Sequence, residues 1–299
     1  MAVLEGAGAA GCLIGLLGGG FIESHFGLPI TAFVSVGIAL TPIMCTAIFT
    51  VELSPRVDNS AVSDGSAGTN VSVLRRVGVT RMLDAIQCVF KKRDCSKRIR
   101  LNLCYVANAA TSMAANGLVV NSFLYFHKQY GLPIENYTIY FSYIMGTVAV
   151  GGPLLLKAMT TCMRQSSAVH GMLSAAVLVV GYAIMSVEVI PHCLWIGGAL
   201  LAFQSVVYAS ARSFAVQLVR ADEIGKIFAY DAMLQVILQL TSSILFKWIY
   251  SLTVEVWAGF FVAFCGFLCS LSAASLLVVS RLSKSQHMTQ NNENSPLLS

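Results

Sequence analysis

The sequence is poor in charge. Only 11% of its 299 residues are Asp, Glu, Lys or Arg, against about 25% in a typical soluble domain. A water-facing surface cannot be built from so few charges, whereas acyl chains require apolar side chains wherever they touch. The composition excludes an ordinary soluble enzyme, and nothing in it points to nucleic acid. Catalytic signatures are missing too: the sequence has no Walker phosphate loop, no GxSxG elbow and no HExxH helix. Its nine cysteines form no CxxC pair and no Cys/His cluster at zinc spacing, so neither a metal nor a cofactor is expected. They lie mostly in apolar runs and read as small buried hydrophobes. Met1 to Gly20 carries Glu5 where a secretory signal would carry basic residues, so it does not read as one.

What is present is hydrophobic length. Hydrophobic residues make up 56% of the chain, and the mean hydropathy is +0.73. A membrane-crossing helix needs about 20 mostly apolar residues. Eight segments qualify: Val3–Phe21, Thr31–Val51, Leu101–Phe126, Ile139–Met159, Val169–Val189, Leu194–Arg212, Phe228–Tyr250 and Val256–Val279. The expected fold is an all-α polytopic transmembrane helical bundle. Residues 1–51 supply two helices, 52–100 a polar linker, 101–280 a six-helix half and 281–299 a polar tail. Within the linker, Ser54–Thr69 has a disordered composition. Val71–Phe90 has the apolar spacing of an amphipathic helix, and the basic cluster Lys91, Lys92, Arg93, Lys97, Arg98 and Arg100 follows it.

Charge placement sets the expected orientation. With eight spans, both termini share one side with the linker, and that side holds 17 of the 19 Lys and Arg residues, leaving Lys128 and Lys247 opposite. Basic loops stay cytosolic, so the linker and tail are expected in the cytosol. There the basic cluster at the linker's end would also meet anionic lipid headgroups.

Ionisable residues inside spans are costly and point to function. Glu5 opens the first span. It is either a headgroup-level carboxylate or one that takes up a proton in a low-dielectric cavity, where desolvation favours the neutral acid. Gln204, Tyr208 and Arg212 recur every four residues and form one polar stripe. Its arginine would either clamp a substrate carboxylate or snorkel to the interface. Asp231, Gln235 and Gln239 repeat the pattern, as do Asn108, Ser112 and Asn116. Such stripes line an aqueous path or tie neighbouring helices together. Gly11, Gly15 and Gly19 form successive GxxxG steps. In the fourth span Gly146, Gly151, Gly152 and Pro153 read as tight packing with a kink.

The order of segments resembles the proton-coupled folate transporter family, solute carrier family 46, within the major facilitator superfamily. Leu4-Glu5-Gly6 at the head of a glycine-rich span is similar to that family's fifth helix. Phe90-Lys91-Lys92-Arg93 is similar to the end of its central loop. Ala211-Arg212-Ser213, Gln217-Leu218-Val219 and Asp222-Glu223-Ile224-Gly225-Lys226-Ile227-Phe228-Ala229 are similar to its tenth-to-eleventh helix connection. The resemblance implies helices five to twelve of a twelve-helix carrier, truncated at the N-terminus, without the four preceding helices or the acidic-Gly-basic loop between helices two and three. It implies a proton-coupling role for Glu5 and proton and substrate handling by Arg212, while the polar stripes add Tyr208, Gln204, Asn108, Asn116 and Asp231 as candidate substrate-binding residues along a path. The histidines of the folate-carrying member find no counterpart at His25, His127, His170 or His192, so folate is not implied. The implied activity is proton-coupled symport of an organic anion by alternating access. Its rivals are a non-transporting scaffold or receptor and an inactive fragment. At the tail, Glu293 precedes Leu297 and Leu298 at acidic-dileucine spacing. That suggests a clathrin-adaptor contact and an endosomal or lysosomal membrane, with the plasma membrane as the alternative.

Overall fold

The computed structural model describes residues 95–163, 166–187 and 191–294 with few breaks, residues 83 and 85–89, and scattered positions between 11 and 40. Chain contacts divide it into two compact units, Ile14–Arg81 and the remainder. In the smaller unit the described positions, from Ile14 to Leu40, are helical. Most of the first two expected spans, Glu5 among them, and Ser54–Thr69 lie outside the described residues.

The larger unit is helical throughout its described length apart from short turns. α1 is Cys95–Tyr130. The next crossing joins α2 (Ile134–Gly146) to α3 (Gly152–Cys162) through a π-helical turn at Thr147–Gly151. α4 is Ser167–Ser186. The fourth crossing is split into α5 (Pro191–Leu200) and α6 (Phe203–Gln217). α7 is Ile224–Thr253 and α8 is Phe260–Asn294. Among the described residues, these helices give six crossings long and apolar enough to span a membrane, matching the six expected between Leu101 and Val279.

Their register follows from side-chain pairs. Tyr105 reaches Ile227, Asn108 reaches Asp231 and Asn121 reaches Phe246, so α1 and α7 run parallel. Thr111 with Ser272 and Cys265 with Ala114 set α8 antiparallel to α1. Gly171 meets Ser210 and Gly181 meets Leu200, so α4 runs against the α5–α6 crossing. Strict up-and-down alternation results. The starts of α1, α4 and α7 and the ends of α3 and α6 therefore share one end of the bundle. Its centre is a continuous apolar cluster including Leu118, Tyr125, Phe126, Leu178, Tyr182, Phe246, Phe261 and Cys265. Outward faces are apolar as well: Val236, Ile237, Leu240, Ile244 and Trp248 of α7 are all exposed, an arrangement suited to acyl chains.

Four boundaries differ from expectation. α1 starts at Cys95, so the last basic residues of the linker are already helical, and Arg100 is buried with its Nε donating to the Ser96 carbonyl. The final helix runs on to Asn294, so most of the tail is helical rather than irregular. α6 continues to Gln217, so Arg212 lies inside a crossing and not at its end. The break at Leu201 and Ala202 was not expected; backbone N–H groups there bond three residues back, Leu201 to Gly198 and Ala202 to Ala199. Near the end of the linker the helical residues 85–89 bury Val89, which joins Leu101, Tyr105, Ala215 and Ile227 in a small apolar cluster.

Candidate functional site

The three polar stripes expected from the sequence converge on one carboxylate. Asp231 sits two turns into α7, with its side chain 7% exposed. Asn108 of α1 donates from Nδ2 to its Oδ1 at 2.6 Å. Arg212 of α6 donates from Nε to its Oδ2 at 2.8 Å. The Arg212 side chain is 19% exposed, and its guanidinium lies over the Tyr208 ring, 6.0 Å from the centroid. One turn before Tyr208 on α6, Gln204 donates from Nε2 to the Tyr208 hydroxyl at 3.2 Å. Arg212 is therefore held inside the bundle rather than snorkelling to an interface.

The Asn108–Asp231 pair also fixes how two stripes face each other. Its partners are 123 residues apart, and α1 and α7 run parallel at a near-constant offset. The same register sets Ser112 opposite Gln235, and Asn116 opposite Gln239. Along this seam several buried polar atoms have no hydrogen-bond partner among the described residues: Asn108 Oδ1, Ser112 Oγ and Gln235 Nε2. A buried polar group without a partner is costly, and native interiors keep few of them. Each of these atoms can take one further hydrogen bond. Asn116 is half-buried further along.

Two cavities adjoin α6 in succession. The first, about 220 Å³, is lined by Gln204, Ser205 and Tyr208 together with Leu118 of α1 and Ile144 and Met145 of α2. The second, about 510 Å³, is lined by Arg212, Ser213 and Gln217 together with Thr160 of α3, His170 of α4 and Phe228 of α7. Tyr208 borders the first and Arg212, one turn later, the second. The arginine of the ion pair thus forms part of the wall of the larger cavity.

Of the residues singled out from sequence, the structure brings Asn108, Arg212 and Asp231 into one cluster, with Tyr208 and Gln204 adjoining it. Glu5, Leu297 and Leu298 lie outside the described residues, and Glu293 falls on the last turn of α8. Sequence reasoning missed His170 as a cavity-lining group. It is buried in the first turn of α4, with Nε2 3.1 Å from the Met163 carbonyl. A histidine shortly after a span boundary gave no signal of this.

A model of the Major Facilitator Superfamily matches residues 1–243. Among curated proteins the chain is similar to the Drosophila melanogaster protein described as "Probable peptidoglycan muropeptide transporter SLC46", at 25% identity over 266 residues, which is 86% of this chain and 49% of the relative. The chain thus spans about half the length of the curated relative it matches. The all-helical bundle, the alternating crossings and the matched residues agree, and the chain belongs to the Major Facilitator Superfamily, with a solute carrier family 46 protein among its relatives.

Proposed function

We propose that the protein is a proton-coupled symporter that moves an organic anion by alternating access. The observation that carries this reading is the ion pair of Arg212 with Asp231 among the membrane crossings, with Arg212 on the wall of a cavity of about 510 Å³. Charges so placed are expensive unless paired and are characteristic of ion and substrate pathways. Arg212 would hold an anionic group of the cargo in a forked, charge-assisted contact. Asn108, Asn116, Gln204 and Tyr208 would line the route. Glu5 would take up the driving proton, and protonation would favour one facing state because it removes an intramembrane charge. The relative's description supports cell-wall muropeptides as a cargo class, since these carry carboxylates. Glu293, Leu297 and Leu298 support an adaptor contact and residence in an endosomal or lysosomal membrane.

The test uses the full-length protein in proteoliposomes with a radiolabelled muropeptide bearing free carboxylates. Uptake should follow an imposed proton gradient and collapse with a protonophore. Glu5→Gln should abolish gradient-driven accumulation, and Arg212→Lys should impair it because the planar fork is lost. Absence of gradient-driven uptake would favour a scaffold or receptor that recruits partners through its linker and tail.

A further inference from the structure

The end of the linker packs close to the Asn108–Arg212–Asp231 cluster. Residues 85–89 are helical. Ala85, Cys88 and Val89 share one helix face, and they are only 0%, 6% and 2% exposed. Leu83 and Gln87 lie on the opposite face and are exposed. Val89 enters an apolar cluster with Leu101 and Tyr105 of α1, Ala215 of α6 and Ile227 of α7. Cys88 lies close to Tyr105, as does Asp231. Tyr105 precedes Asn108 by three residues, Ala215 follows Arg212 by three, and Ile227 precedes Asp231 by four. The starts of α1 and α7 and the end of α6 share one end of the bundle. Val89 therefore caps these three helices one turn outward from the three residues of the cluster. In the layer between, the Tyr105 hydroxyl donates to the Ile227 carbonyl and its ring meets Tyr230 edge-on.

We propose that residues 85–89 are a strap that closes this end of the bundle over the Asn108–Arg212–Asp231 cluster, and that the strap lifts as a unit while the helices beneath it stay folded. The proposal deepens the alternating-access reading and rests on it for the role of the lift: the cluster opens toward this end, the one expected in the cytosol, only after the strap has left. A strap in place touches all three site-bearing helices at once and keeps them together. Its hold suits a reversible contact. The buried groups are an alanine, a cysteine and a valine, so the apolar area withdrawn from water is small. Contacts of that size open locally, without global unfolding.

The rival is a fixed staple that belongs to the core of the bundle. A staple becomes accessible only when α1, α6 and α7 unfold, whereas a strap becomes accessible while they remain folded. Three native cysteines separate the two. Cys88 is on the inner face of the strap. Cys162, at the end of α3, is exposed. Cys265 of α8 is fully buried at the centre of the bundle, where its thiol donates to the Ala114 carbonyl.

Alkylation of the full-length protein in detergent, read by peptide mass spectrometry, gives a rate at each cysteine. Each rate is divided by that of the same cysteine in denatured protein. Cys88 should fall between Cys162 and Cys265, and exceed Cys265 by about tenfold. Val89→Ala should raise the Cys88 rate about fivefold and leave Cys265 unchanged. A wild-type Cys88 rate equal to that of Cys265 overturns the proposal. So does a Val89→Ala protein in which Cys88 is unchanged, or in which Cys265 rises with it. If Val89→Ala does not yield monodisperse protein, the wild-type rates decide. A second arm joins Val89→Cys to Ala215→Cys with a short, reducible bis-thiosulfonate, in a Cys88→Ser background. The joined full-length protein should lose muropeptide uptake and recover it on reduction, and uptake unaffected by the link overturns the proposal. Absence of uptake in the wild type sinks the symporter reading alone, because the alkylation rates still decide whether the strap lifts.

Discussion

Gly152 of α3 and Ser205 of α6 approach so closely that a Cβ on the glycine would lie 2.5 Å from the serine Cβ. One residue earlier, a Cβ on Gly151 would lie 3.2 Å from that of Ala202. These contacts join the two irregular points of the bundle. The π-helical turn at Thr147–Gly151 rests against the break at Leu201 and Ala202. Wide and narrow turns are common where helices serve a function, and the glycines let the two backbones meet.

Gly152→Leu should therefore separate α3 from α6. Overpacking typically costs about 1–3 kcal/mol, and here the obstacle is a Cβ rather than the end of a flexible chain. A lowered melting temperature in detergent is the expected readout. Ser205→Gly in the same protein should recover part of the loss. An unchanged melting temperature for Gly152→Leu would mean that the contact is not tight.

The ion pair predicts a non-additive pattern. Asp231→Asn leaves a cation inside the bundle and Arg212→Gln leaves an anion, and each should destabilise by roughly 3 kcal/mol, as expected when one partner of a buried pair is removed. The double substitution leaves two neutral hydrogen-bonding groups and should be more stable than either single variant, yet inactive in muropeptide uptake. A thermodynamic cycle from melting curves measures the coupling. Additive losses would show that the pair contributes no mutual stabilisation.

The six crossings between Cys95 and Val279 were legible because each contains enough apolar residues to span lipid, a property of composition alone. Their ends were not. α1 begins among basic residues and α8 continues through Ser, Gln and Asn, and hydropathy cannot separate a polar helix from a polar loop. The participants in the site were legible as well, since Asn108, Arg212 and Asp231 stand out as polar groups in apolar surroundings. Their partnership was not. Period-four spacing shows which residues share a face of one helix, but not which face of a neighbour it meets. That depends on the 123-residue offset between Asn108 and Asp231, which only packing sets. The break at Leu201 was hidden for a related reason: no proline falls there to mark it.

Topology gives a third prediction. Cysteines placed at Ser66 and Ser295 should be labelled only from the cytosolic side, and one at Glu135 only from the opposite side. Labelling of Ser66 from outside intact cells would overturn the orientation. Two sequons follow the same logic. Asn70 with Ser72 should stay unmodified. Asn136 with Thr138 faces the permitted side, but it lies in the first turn of α2, where the Thr138 hydroxyl donates to the Ile134 carbonyl at 2.9 Å. That helical geometry should keep its glycosylation low, as read by a glycosidase mobility shift.

The last prediction concerns destination. Glu293 is one residue before the end of α8, and Leu297 and Leu298 follow within the next turn's length of chain. An adaptor reading this signal must seat two adjacent leucines in an apolar pocket and meet the glutamate with a basic patch. Both demands fall on Glu293, Leu297 and Leu298, which in sequence lie outside the six crossings. Replacing Leu297 and Leu298 by alanine should therefore leave melting temperature and muropeptide uptake in proteoliposomes unchanged, while shifting the tagged full-length protein from endosomes and lysosomes toward the plasma membrane. Glu293→Ala should give a smaller shift, because the apolar anchor remains. An acidic lumen would drive protons and cargo together into the cytosol, the direction the proposed coupling requires. Identical distributions for the wild type and the double alanine variant, scored by surface biotinylation, would make the dileucine a chance match and leave a plasma-membrane carrier as the reading to pursue.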